Sequence, residues 1–84
     1  MKPVRLSGHA RARVVQRGAT DDEVIETIRT TPWRVAEQGR KECQKHFSYG
    51  REWNGKMYAT KRIRPRFVEE PDEILVVTVY VYYA

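Results

Sequence analysis

The chain has one cysteine, Cys43, in 84 residues. An intrachain disulfide is therefore excluded, and no thiolate set can hold zinc. A reducing compartment fits that usage. Long apolar runs are also missing. The opening Met1-Lys2-Pro3-Val4-Arg5-Leu6-Ser7-Gly8-His9 has no apolar core of a secretory signal. The one apolar run, near the C-terminus, is about half the ~20 residues a membrane helix needs. These features predict a cytoplasmic protein with no membrane association. No glycine-rich phosphate loop follows a strand, and no nucleophile elbow is present. Two histidines among scattered acids make no metal site, so neither metal nor cofactor is expected. At this length a single domain spanning residues 1–84 is expected, burying roughly 60–65% of the unfolded chain's surface.

Acids are absent from two whole stretches. Residues 1–20 carry Lys2, Arg5, Arg11, Arg13 and Arg17, and residues 53–68 carry Lys56, Lys61, Arg62, Arg64 and Arg66, with no Asp or Glu in either. The acids gather at Asp21-Asp22-Glu23 and around Glu69–Glu73. Ten of the sixteen lysines and arginines thus lie in acid-free segments of a chain with net charge +5. Segregation of this kind predicts a basic face for a polyanion. Surplus charge that only keeps a small protein in solution is the plainer alternative.

What is present is local and readable. Ser7 caps a helix over about Gly8–Arg17, which Gly18 ends. Thr20 and Glu23 form a capping box for a second helix, which stops near Thr30 or Thr31 ahead of Pro32. From Trp33 the period becomes alternating, with strands expected at Trp33–Glu37, Glu42–Tyr49, Lys56–Val68 and Glu73–Tyr82. Gln38-Gly39-Arg40, Asn54-Gly55 and Glu69-Glu70-Pro71-Asp72 supply the turns. Pro65 predicts a bulge or an edge position. The fold expected is α+β, with two N-terminal helices on one face of a four-stranded antiparallel sheet. Alternation in the last strand assigns Leu75, Val77, Val79 and Val81 to the core, and Ile74, Val76, Thr78, Tyr80 and Tyr82 to the open face. In the third strand Tyr58, Thr60, Arg62, Arg64 and Arg66 share the open side, with Arg66 the one a bulge at Pro65 would displace. His46 should join them.

Arginines interleaved with aromatics are the groups that grip phosphates and stack bases of single-stranded RNA. Arg62 and Arg64 beside Thr78 and Tyr80 form one such set, and His46 is a further acid, base or contact. His9, Arg13 and Arg17 form another along one helix face, where imidazole beside guanidiniums suits phosphodiester chemistry. Each set also fits an ordinary solvated surface.

Leu6-Ser7-Gly8-His9-Ala10, then Arg13 and Arg17-Gly18, the capped helix with Val24, and the closing Ile74-Leu75-Val76-Val77-Thr78-Val79-Tyr80 together resemble the bacterial domain-of-unknown-function 4258 family. That family is similar in layout to RelE/ParE-type toxins and to barnase-like and EndoU-like ribonucleases. The resemblance implies a RelE-like fold and a small metal-independent ribonuclease of toxin type acting on RNA. It further implies His9 as acid/base, Arg62 or Arg64 as phosphate ligand, and Thr78 or Tyr80 in support. A non-catalytic module holding nucleic acid or protein is the other reading, with an antitoxin or a second copy as partner.

Overall fold

The computed structural model describes residues 1–84. In chain order it contains β1 (Val4–Leu6), α1 (Gly8–Gln16), α2 (Asp21–Thr30), β2 (Arg34–Val35), a 3-10 turn (Glu37–Gly39), β3 (Lys41–Glu42), β4 (Lys45–Trp53), β5 (Lys56–Glu69) and β6 (Ile74–Tyr83). No helix is long and apolar enough to cross a membrane.

The helices end where their capping chemistry ends them. The Ser7 hydroxyl accepts from the Ala10 N–H. Thr20 and Glu23 make both halves of a capping box. Gly18, at φ +72°, makes the left-handed turn between the helices. A Cβ there would lie 2.5 Å from Trp53 and 2.7 Å from the Tyr83 hydroxyl, so both backbone and space demand glycine. After α2, the Trp33 indole N–H donates to the Ile28 carbonyl at 2.8 Å, occupying one carbonyl the helix end leaves free.

The sheet differs from the expected one. It has six strands in the order β1-β6-β5-β3-β2, with β4 also on β5, and β1 runs parallel to β6. The four-stranded antiparallel arrangement is therefore corrected to a mixed sheet within an α+β fold. Two causes stand behind the difference. The short lead-in Val4–Leu6 is long enough to pair with Ile74–Val76. The expected strand Glu42–Tyr49 is broken at Cys43-Gln44, so β3 pairs with Phe67 and Arg66 while β4 begins opposite Ile63. Arg64 and Pro65 have no ladder partner on that edge. A residue without an N–H is tolerated in such a gap, which explains a proline inside the longest strand.

The core lies between the helices and one sheet face. It joins Leu6, Ala10, Val14, Val24, Ile28, Cys43, Ile63, Phe67, Ile74, Val76 and Val79. Phe67 is fully buried and meets Trp33 edge-on at 5.0 Å. The expected core set Leu75, Val77, Val79 and Val81 is half corrected. Register between β5 and β6 slips between Arg66 and Phe67, leaving Val77 as an extra residue in β6. A bulge reverses the alternation on one side of itself. Ile74 and Val76 are consequently buried, while Val79 stays inside and Thr78, Tyr80 and Tyr82 stay on the other face. The bulge is in β6 and not at Pro65, so Arg66 keeps its place beside Arg62 and Arg64.

Lys61 shares the helix-facing side of β5 and is 3% exposed. Its ammonium donates to the Gly18 carbonyl and the Glu23 carboxylate, both at 3.0 Å, and lies 5.2 Å from the Tyr49 ring. A buried lysine thus ties the turn between the helices to the middle of the sheet.

Candidate nucleic-acid interface

The helix-free face of the sheet is built of cross-strand rungs. In the first, Arg34 of β2, Glu42 of β3, Arg66 of β5 and Thr78 of β6 are successive neighbours. In the second, Arg64 stands opposite Tyr80. In the third, His46 of β4, Arg62 of β5 and Tyr82 of β6 are neighbours. Alternation along β5 places Arg62, Arg64 and Arg66 on one side at roughly 6.5–7 Å intervals.

The guanidiniums lie on the tyrosine rings. Arg62 sits 4.4 Å from the Tyr82 centroid and Arg64 4.9 Å from that of Tyr80. Arg64 lies 5.4 Å from the Tyr82 centroid as well, and Arg66 lies 5.6 Å from that of Tyr80. Arg64 also donates to the Tyr82 hydroxyl at 2.9 Å. Cation–π contacts of this kind contribute about 0.5–1 kcal/mol at exposed sites and more when desolvated. They cover the Nε atoms: those of Arg62, Arg64 and Arg66 are buried and without a partner. The tyrosines therefore serve first as platforms that position the arginines.

Glu42 is the buried acid of this face. Its carboxylate accepts from Arg34 at 2.9 Å and Arg66 at 3.1 Å, with Arg64 at 4.0 Å. The Arg34 hydrogen bond holds the carboxyl below the usual carboxylate range; burial opposes this, and Arg66 and Arg64 add to it. The pairing of Glu42 with Arg34 depends on the short β2–β3 hairpin and had no sequence signal. Because the folded pKa is depressed, the stabilisation is complete above the unfolded value of about 4.3 and is lost as pH falls through the folded one. In urea titrations between about pH 7 and pH 3, Glu42→Gln is expected to flatten the acid loss of stability relative to the parent. Parallel curves would show that Glu42 carries none of it.

The expected site residues fall into two groups. Arg62, Arg64, Thr78, Tyr80 and His46 come together on the open face. His9, Arg13 and Arg17 do not join them. His9 is exposed on α1 and has Arg13 as its polar neighbour, at 3.4 Å. Arg13 also donates to Gln16 at 3.1 Å. Arg17 donates to the Val79 main-chain carbonyl at 2.9 Å, and its own carbonyl accepts from the Tyr83 hydroxyl at 2.6 Å. These contacts fasten α1 to β6. Cys43 is buried against the Thr27 carbonyl, and burial pushes its thiol pKa up, which leaves it unreactive.

Comparison with protein-family models, curated proteins and solved structures found no match.

Proposed function

We propose that this chain binds single-stranded RNA on the open face of its sheet, with Arg62, Arg64 and His46 meeting phosphates. The carrying observation is the placing of the Arg62 and Arg64 guanidiniums over the Tyr82 and Tyr80 rings, at 4.4 and 4.9 Å. Arginine's planar fork suits phosphate oxygens, and an exposed guanidinium plane stacks on a base. Thr78 and Tyr80 hold hydroxyls with no partner within the protein, which suits a 2′-hydroxyl. Excess basic charge adds a sequence-independent attraction. His9, the acid/base that the resemblance implies, touches none of these arginines, so the function proposed is binding, with His46 as a phosphate contact.

Anisotropy titration of a labelled single-stranded oligoribonucleotide, at several salt concentrations and beside DNA of the same sequence, tests it. Binding should weaken linearly in log salt. The double variant Arg62→Gln/Arg64→Gln should bind at least about tenfold more weakly and lower the slope by about 1.4, near 0.7 for each phosphate that is no longer neutralised. Equal binding by parent and variant, or none by the parent at low salt, overturns the reading. Tighter binding of DNA overturns the assignment to RNA.

A further inference from the structure

Resting on that reading, we infer that Glu42 terminates the RNA path, so that phosphates engage the Arg62–His46 end of the row and do not extend past Arg64. Donors along the row are unequally free. Arg66 and Arg34 are hydrogen-bonded to Glu42, at 3.1 and 2.9 Å. Arg64 spends one terminal nitrogen on the Tyr82 hydroxyl, and its other lies 4.0 Å from Glu42. Arg62 has no hydrogen bond and no ion pair, only the Tyr82 ring 4.4 Å away. His46, directly across from it, is exposed and has no partner either.

The arginine row therefore has a polarity that its sequence, three arginines at equal spacing, conceals. At the β3 end the Glu42 carboxylate takes Nε and Nη2 of Arg34 and Nη2 of Arg66, which leaves each with one free terminal nitrogen, and its negative charge opposes a phosphate entering there. At the β4 end a guanidinium and an imidazole stand side by side with every terminal donor available. Phosphate binds where charge-assisted hydrogen bonds are unmade. Glu42 acts as an anion supplied by the protein itself, which sets how many phosphates the face accepts and at which end they begin.

The test measures single-stranded oligoribonucleotides of increasing length against the parent, Arg62→Gln, Arg66→Gln and Glu42→Gln, each at several salt concentrations. Arg62→Gln should weaken binding about tenfold or more, whereas Arg66→Gln should stay within about threefold of the parent. Glu42→Gln removes the negative charge that holds Arg34 and Arg66 and leaves one amide oxygen to accept from them. It should bind about fivefold more tightly at low salt, steepen the salt slope by about 0.7–1.4, and reach full affinity only with longer RNA. Equal losses from Arg62→Gln and Arg66→Gln, or unchanged or weaker binding by Glu42→Gln, overturn the inference while leaving RNA binding standing. If Glu42→Gln does not fold, the Arg62 and Arg66 variants decide it between them. A parent protein that binds no RNA overturns the proposed function itself.

Discussion

Replacing Phe67 with alanine is expected to remove about 3–5 kcal/mol of stability, the range for truncating a buried phenylalanine. The ring is fully buried and packs edge-on against Trp33, whose indole N–H in turn holds the Ile28 carbonyl at the end of α2. Phe67 also belongs to β5 where it pairs with both β3 and β6, so a cavity there loosens three strands and one helix. A domain of this size has a total stability of about 4–13 kcal/mol. The loss is therefore about a quarter of that total or more. Urea unfolding followed by circular dichroism measures this, and a loss below about 1.5 kcal/mol would show that the core collapses around the gap.

A loss of similar size, about 3–5 kcal/mol, is expected for Glu23→Ala, by a different mechanism. Truncating one partner of a buried ion pair leaves the other charge uncompensated. Lys61 is 3% exposed and would retain only the Gly18 carbonyl and the Tyr49 ring. The same change removes the carboxylate that accepts from the Thr20 N–H in the capping box. Replacing both members, Lys61→Met with Glu23→Gln, should recover most of the loss. An apolar side chain of similar length then fills the site, and glutamine can still accept from Thr20. A Glu23→Ala protein within about 1 kcal/mol of its parent would show that Lys61 finds water or another acceptor.

These two sites show how unevenly the fold can be read from the sequence. Ser7, Gly18, Thr20, Glu23 and Asn54-Gly55 act on their immediate neighbours, and each does in the structure what its chemistry predicts. Asn54 and Gly55 both take positive φ, 51° and 82°, as the hairpin turn requires. Lys61 shows only alternation in the sequence, which places it on the apolar side without saying that Glu23 waits there. Arg17 looks like one of a row of helix cations, yet its partner is a main-chain carbonyl 62 residues away. Nothing in local spacing encodes such a contact.

The last strand shows the division most clearly. Residue order alone determined that Glu73–Tyr82 reads as a strand and that Arg62 and Arg64 share a side, because β-branching and a period of two are properties of consecutive residues; Arg66 stays beside them because the bulge falls in β6. Only the tertiary structure decided which half of that strand is core. One extra residue, Val77, reverses the alternation, and its bulge becomes visible only against the register of β5. The same holds for the arginine row. Its basic character is written in the sequence, but the anion that closes one end, Glu42, is brought to it by the pairing of β2 and β3 with β5. Charge and period are carried by neighbours in the chain, whereas register and ion pairing depend on which distant strands meet.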